Sequence, residues 1–554
     1  MGPVFQSVVV LLASALAWLL YEYVVKAIRS PLRRLPGPIS RGIFANHLTF
    51  AMDPIWSAAA QDQWSKRFGL NLRIKGFNWF DNRLLTLDPR AVHYILHNPQ
   101  LYEKPTISRR YLAHLIGEGL LATEGPQHRQ QRKVMNPAFS PSNLRALTPV
   151  FFTKAFQLRD KWLSLMEVPR DGSILNVSRW ISRATFDVIG VAGFGYEFNA
   201  IEEENEAVYL AYKVMFDETV NQGQSMFNLA SMYFPFIRRV FRTREVRINE
   251  ASQATIAEAG KTLVEKKKRE FQEGNKESRD LLSLLVRSNL APETDPSQRI
   301  TDVSIANQIN TFLFAGSDTT SLAISWCILL LAQHQDIQQR LRNELVDEEG
   351  GMSADNEFAT ADFFVQLDKL PYLDNVCKEI LRSIPPVHSS IRMALKDDII
   401  PISSPMRWED RKGKTIKVEA HPSGIKIAKG EYIHIPFEGL NLAKHVWGED
   451  AHEFKPDRWD HLPDAARSAP GLYSNIMTFG YGPRSCIGMR FSLMEMKTFL
   501  FVLLRSFRFD DPPRVRKVNV IVTRPYVKGS LKEGTQMPIR VTSIGVHGKD
   551  PSLT

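Results

Sequence analysis

The chain has 554 residues, enough to bury one large core or several smaller ones. With 44% hydrophobic and 23% charged residues, its composition is that of a globular protein and excludes disorder as a class. The formal net charge of +10 is spread along the sequence, and no recognition motif or basic run with interleaved aromatics points to nucleic acid.

Residues 4–25 are nearly all apolar, long enough to cross a bilayer as a helix, and Glu22 near the end is their only charge. No basic stretch precedes them, as a cleaved signal would require, whereas Lys26, Arg29, Arg33 and Arg34 follow. Basic charge on that side stays cytosolic, so the sequence predicts a single-pass anchor over residues 1–29 with the bulk of the chain in the cytosol. Pro36-Gly37-Pro38 cannot continue a helix and marks a stiff, basic and proline-rich hinge over 30–45.

One large domain is expected from 46 to 545, with a short tail at 546–554. Helical periodicity dominates from about residue 143 to 351. Strand-like pieces fall at 70–74, 84–87, 416–418, 432–435 and 518–522. The expected class is therefore mainly α with a smaller β portion.

The helical run at 303–334 carries Ala315-Gly316-Ser317-Asp318-Thr319-Thr320. A glycine inside a helix costs about 1 kcal/mol relative to alanine. The residues alone fit either a tolerated kink with a solvent-facing acid or a functional groove. Glu379-Ile380-Leu381-Arg382 sets a carboxylate and a guanidinium at i,i+3, where they can pair. Pro385-Pro386, Arg392 and the segment Phe454-Lys455-Pro456-Asp457-Arg458-Trp459 follow, separated by a stretch at 401–424 that reads as a surface hairpin.

Only three cysteines occur, Cys327, Cys377 and Cys486, too scattered for a disulfide framework or a structural zinc site. Cys486 lies in Phe479-Gly480-Tyr481-Gly482-Pro483-Arg484-Ser485-Cys486-Ile487-Gly488, just before a long apolar helix. Gly480 and Gly482 let the backbone turn tightly and approach a flat ligand. The helix dipole favours an anionic sulfur, and Arg484 adds a cation suited to a carboxylate. The competing reading is a structural cysteine in a glycine-rich turn.

This segment resembles the signature Phe-x-x-Gly-x-Arg-x-Cys-x-Gly of the cytochrome P450 family. The glycine–acid–threonine segment, the Glu-x-x-Arg pair and the segment ending in Arg458-Trp459 resemble three further family motifs and occur in the family's order. The resemblance runs from the anchor through Pro525. It implies the cytochrome P450 fold and haem b (iron protoporphyrin IX), with Cys486 as the proximal thiolate ligand and Phe479 beside it. Arg484, Arg392 and Arg132 would meet the haem propionates. Arg132 lies in a segment like the family's Trp-x-x-x-Arg, in which His128 stands for the tryptophan and could still donate a hydrogen bond. Ser383 replaces the usual leucine after Glu-x-x-Arg. Gly316 would make room for dioxygen, Thr319 would hydrogen-bond the oxygen being activated, and Asp318 would relay protons. Glu379, Arg382 and Arg458 would form a structural triad.

The implied activity is a monooxygenase that uses O2 to oxidise a lipophilic small molecule. No GxGxxG follows a strand, so electrons are expected from a separate, membrane-bound NADPH-dependent reductase. Arg129, Lys133, Arg490 and Lys497 could meet such an acidic partner. Residues 107–121, 216–236, 310–315, 387–391 and 523–527 would line the substrate pocket. The chain looks most like fungal microsomal members, which implies the endoplasmic reticulum membrane and secondary metabolism, for example of terpenoids. Two alternatives differ in chemistry. A haem-thiolate isomerase or dehydratase needs no electron donor but usually lacks the acid–threonine pair. A hydrolase with Cys486 as nucleophile would need a histidine base, and none stands in a recognisable motif.

Overall fold

A computed structural model describes residues 3–39, 47, 57–76, 80–167, 171–221, 240–274, 280–290, 299–347, 355–404, 407–409, 415–417, 424–512, 514–519, 521–530 and 533–544. The helices that carry the argument are α1 (Pro3–Leu20), α2 (Pro89–His97), α3 (Gly125–Met135), α4 (Thr148–Leu165), α5 (Val177–Phe194), α6 (Ala207–Asn221), α7 (Asp302–Phe312), α8 (Thr319–Gln333), α9 (Pro371–Ser383) and α10 (Met489–Ser506). Contacts group the chain into two compact units. The first takes Met1–Pro105, His388–His452 and Pro463–Ser485; the second takes Thr106–Val387, Glu453–Leu462 and Cys486–Thr554. The expected tail at 546–554 and residues 40–45 of the expected hinge lie outside the described residues.

The first unit is built on a five-stranded sheet. Strands β1 (Asn71–Lys75) and β2 (Asn82–Thr86) form an antiparallel hairpin, close to the runs expected at 70–74 and 84–87. β3 (Tyr102–Glu103) lies at the far edge. A fourth strand, β4 (Ser173–Asn176), belongs to the other unit. β5 (Ser390–Ala394), β6 (Asp398–Ile400), β7 (Arg407–Glu409), β8 (Thr415–Lys417), β9 (Ile425–Ile427) and β10 (Tyr432–Ile435) complete the first. β10 pairs parallel with β2 and antiparallel with β5, so distant pieces of sequence close one sheet. The hairpin expected between 401 and 424 forms from β7 and β8, while 410–414 lie outside the described residues.

Asp88 caps α2, accepting from the N–H groups of Arg90 and Ala91, and Pro89 occupies the first turn, where its missing N–H is harmless. The segment after α1 is docked: Leu32 is fully buried, and the Arg73 N–H donates to the Pro36 carbonyl at 2.8 Å. A Cβ on Gly37 would stand 2.0 Å from the Arg73 carbonyl oxygen, so only glycine permits this approach. In α1 itself, Phe5, Val10, Leu16 and Trp18 are each more than half exposed.

The second unit holds the remaining helices. α4 packs on α10, with the rings of Phe151 and Phe491 edge to face at 5.0 Å between centroids. The run Asp302–Gln333 is apolar and long enough to cross a membrane, but burial over 78% of its most apolar stretch makes it the core helix of this unit. Strands β11 (Phe507–Asp510) and β14 (Pro538–Ser543) join β4 in a second sheet, and β12 (Val515–Asn519) pairs with β13 (Thr523–Val527). The strand expected at 518–522 is thus corrected: it straddles the end of β12 and the turn. Its apolar run does not interrupt at the reversal, so the pattern hid the hairpin.

Glu379, Arg382 and Arg458 meet inside this unit. Arg382 is bidentate on Glu379 at 2.7 and 2.8 Å, and the Arg458 Nε lies 3.4 Å from the same carboxylate. The Trp459 indole N–H and the Lys455 backbone N–H also donate to it, at 3.1 and 2.9 Å. All three charged side chains are at most 4% exposed. Breaking a buried ion pair from one side costs about 3–5 kcal/mol, because the other charges stay buried. Glu379→Ala should therefore lose stability of that order in urea unfolding, and an unchanged midpoint would show that the cluster holds nothing in place.

Candidate active site

Between α7 and α8 the helix widens into a π turn over Leu313–Asp318. A wide turn displaces backbone carbonyls from their usual partners. Here side-chain hydroxyls take them over: Ser317 Oγ donates to the Leu313 carbonyl at 2.6 Å, Thr319 Oγ1 to Ala315 at 2.7 Å, and Thr185 Oγ1 of α5 to Ser317 at 3.1 Å. Gly316 was expected to make room over a haem. A Cβ there would stand 2.8 Å from two side-chain carbons of Ile189, so the close approach of α5 also requires glycine at this point.

Asp318 is not a solvent-facing acid. It is buried, and its Oδ2 is paired with the Nη2 of Arg524 on β13, itself 9% exposed. Burial pushes the Asp318 carboxyl up, with the Arg524 charge opposing it and the neighbouring Asp217 adding to it. Sequence reading had placed 523–527 in an apolar pocket lining and missed Arg524 as a partner. A lone arginine before a proline, with no acid near it in sequence, gave no sign of this ion pair. Of the other expected lining, 222–236 lie outside the described residues.

Cys486 stands three residues before α10, whose N-cap is Gly488. Its side chain is exposed, yet dense surroundings push the thiol up, while the Gly488 N–H and the Arg132 charge draw it down. An accessible sulfur with a hydrogen-bond donor and a cation beside it suits a thiolate ligand. Arg132 is on α3, held by Asn136 at 3.1 Å, and the buried His128 lies one turn before it. Cys327 and Cys377 are buried in the core, and Cys377 is pushed up to about 12 by burial, so neither is poised as a thiolate. Among the described residues, no group of three or more His, Cys, Asp or Glu could hold a metal ion. A single thiolate fits a metal carried in its own macrocycle.

In the first unit, Met477–Phe479 and Gly482–Arg484 form two short 3-10 turns. Phe479 packs edge to face on Tyr473 at 5.9 Å. Gly480 and Gly482 have φ of +71° and +74°, a region that favours glycine. A Cβ on Gly482 would also stand 2.6 Å from the Leu96 carbonyl oxygen at the end of α2. Arg484 closes the second turn and is partly exposed. Arg392 on β5 is 6% exposed, and its described hydrogen bonds go to the Ser390 hydroxyl and the Ile391 carbonyl, neither of them an acid. Burial alone draws its guanidinium down to about 10. A buried cation with neutral partners is costly until an anion meets it, and a haem propionate has that chemistry. The residues present therefore fit the cofactor.

One expected surface contact is corrected. Lys497 is buried and bound to Asp368 at 2.7 Å and Asp374 at 2.9 Å, because the α10 face that carries it packs into the core. Arg129, Lys133 and Arg490 are exposed. Gly482→Ala combines an unfavourable φ with the clash on Leu96, and should cost roughly 1–3 kcal/mol. Thermal unfolding of the variant checks this, and an unchanged melting temperature would show that the turn relaxes freely.

The family model for cytochrome P450 matches residues 62–401 and 412–532, leaving out only part of the β7–β8 hairpin region between them. A cytochrome P450 monooxygenase of Postia placenta is 38% identical over 551 residues, 96% of each chain. A ganoderic acid synthetase of Ganoderma lucidum is 34% identical and covers 90% of this chain and 91% of its own, and a cytochrome P450 monooxygenase of Ampulloclitocybe clavipes is 30% identical over 97% of this chain and 98% of its own. The crystal structure of the cytochrome P450DA haem domain shares the fold, with a TM-score of 0.70, 20% identity, and 93% and 99% of the two chains covered. The chain belongs to the cytochrome P450 family, and it is a monooxygenase with a haem-thiolate iron cofactor, dioxygen, a small-molecule substrate and a redox partner.

Proposed function

We propose that the protein holds haem b through Cys486 and oxidises a lipophilic small molecule of secondary metabolism, a terpenoid being the first class to test. The observation that carries this reading is the accessible Cys486 sulfur at the head of α10, beside the Gly488 N–H and the Arg132 charge. The relatives support the pathway type, since one is named a ganoderic acid synthetase.

When bound, the haem iron supplies dioxygen binding and the oxidising power. Cys486 would supply the thiolate that holds the iron and donates electron density to it. Arg132, Arg392, Arg484 and His128 hold the propionates by their places in the family's motifs. Thr319 moves a proton at its Oγ1, which now donates to Ala315, and Asp318 resupplies it from the buried side of the π turn. That intact acid–threonine pair favours monooxygenation over the isomerase reading. Electrons come from a separate NADPH-dependent reductase on the same membrane, met by the exposed Arg129, Lys133 and Arg490.

α1 inserts in the endoplasmic reticulum bilayer and leaves the rest of the chain in the cytosol. At 1.5 Å per residue its eighteen residues span roughly 27 Å, close to the ~30 Å hydrocarbon thickness. Its exposed Phe5, Val10, Leu16 and Trp18 suit lipid, and Lys26 and Arg29 follow at the cytosolic end.

The dithionite-reduced protein under carbon monoxide should show the red-shifted Soret band of thiolate ligation, and Cys486→Ala should lose it. A normal thiolate band in that variant would sink the ligand assignment. With a lipophilic probe chosen by its spin-state shift on binding, Thr319→Ala should keep the haem but divert NADPH-derived electrons to peroxide. Unchanged coupling removes Thr319 from the proton path. Deleting residues 1–29 should release the protein from microsomes, and continued tight association would place the membrane contact elsewhere.

A further inference from the structure

A polar cavity lies behind the π turn, on the Asp318 side. It is lined from α5, α6, the π turn, α8, β13 and the segment before β14. Its volume is about 30 Å³, and one water needs roughly 10–15 Å³, so it takes about two. Four of its lining residues carry a buried polar atom with no hydrogen-bond partner in the protein: Tyr212 Oη, Asp217 Oδ1, Ser325 Oγ and Thr535 Oγ1. Tyr212 is 4% exposed and Ser325 1%. Buried polar atoms left unbonded cost about 1–3 kcal/mol each, and a cavity bordered by such atoms suits water as their partner.

The charged groups that face this space come from four of the six elements around it, α8 and the segment before β14 contributing only uncharged side chains. α5 contributes Arg179, which is also paired with Glu204; α6 contributes Lys213 and Asp217; the π turn contributes Asp318 and β13 contributes Arg524. The phenols of Tyr209 and Tyr212 complete the set. Asp217 is partly exposed while its Oδ1 is buried, so it spans the space between solvent and cavity. Burial pushes its carboxyl up against the pull of Arg524 and Lys213 and of the Thr535 hydroxyl, which approaches without bonding geometry.

We propose that this cavity holds a short chain of ordered water and that Asp217 is the outer acid that returns protons to Asp318. The inference rests on the reading of Asp318 and Thr319 given above. Asp318 releases its proton towards Thr319 and takes one from cavity water. That water takes one from the Asp217 carboxyl, and Asp217 regains a proton from solvent. Each transfer breaks one O–H bond and forms another, so charge is restored at every turnover and no further reactant is needed. Arg524 is a positioning residue that holds the Asp318 carboxylate at the cavity wall.

The test uses the haem-loaded full chain. A high-resolution crystal structure should show water bridging Asp217 and Asp318, and a dry cavity overturns the proposal. Infrared titration in H2O and D2O should show carboxylic bands that lose one component in Asp217→Asn. The remaining Asp318 band should titrate at lower pH there, because the neighbouring negative charge is gone. An unmoved Asp318 band overturns the link between the two acids. In turnover with the spin-shifting probe, Asp217→Asn should raise peroxide per NADPH and slow product formation about tenfold or more. Asp318→Asn distinguishes the two readings. Uncoupling in Asp318→Asn with normal coupling in Asp217→Asn rejects the outer acid alone, whereas normal coupling in both rejects the proton role of Asp318 and this inference with it.

Discussion

Glu379 carries a full charge in a place that water does not reach, and the chain has to bring donors to it from two separate segments. Arg382 comes from the next turn of α9, while Lys455, Arg458 and Trp459 come from a segment more than seventy residues on. Such a cluster is weak as a source of stability compared with an apolar core of the same volume, but it is intolerant of partial formation. That property makes it a register device. The segment 453–462 is fixed to α9 at one position, and the cysteine loop follows from that fixed point along the chain.

The π turn imposes a comparable demand elsewhere in the second unit. Widening the helix by one residue releases carbonyls, and the hydroxyls of Thr185, Ser317 and Thr319 occupy them. Without that run of small hydroxyl residues the turn would leave buried acceptors unbonded. Gly316 lets α5 close on the same turn, so the widened segment is held on its flank as well as along its own axis. Thr319 thus has two duties, backbone support at rest and, in the proposed chemistry, proton transfer.

Local patterns were legible in the sequence wherever one residue and its near neighbours set the outcome. The glycines of the cysteine loop, the Glu379–Arg382 pair, the long apolar helix and the β7–β8 hairpin were all of this kind. What was hidden depends on partners distant in the chain. Asp318 pairs with Arg524 across 206 residues, and Lys497, which reads as a surface cation, is buried between two aspartates more than 120 residues before it. The burial of an ionisable side chain follows from which faces pack, and periodicity does not name the partner. The strand reading at 518–522 failed for the opposite reason, since apolar character continued through a reversal of the chain.

The parallel pairing of β2 with β10 has a consequence for synthesis. Tyr432 lies opposite Arg83, so β2 waits for a strand made some 350 residues later. At roughly 5–20 residues per second that is on the order of 20–70 s with one strand edge open on the ribosome. During this interval the first hairpin offers unpaired backbone groups to any passing chain. Cys486, the ligand proposed above, leaves the ribosome only after the last segment of that unit, so in that reading the cofactor is acquired after the sheet's own chain is complete. Nascent chains of this protein are therefore most exposed to misassembly between the synthesis of β2 and that of β10.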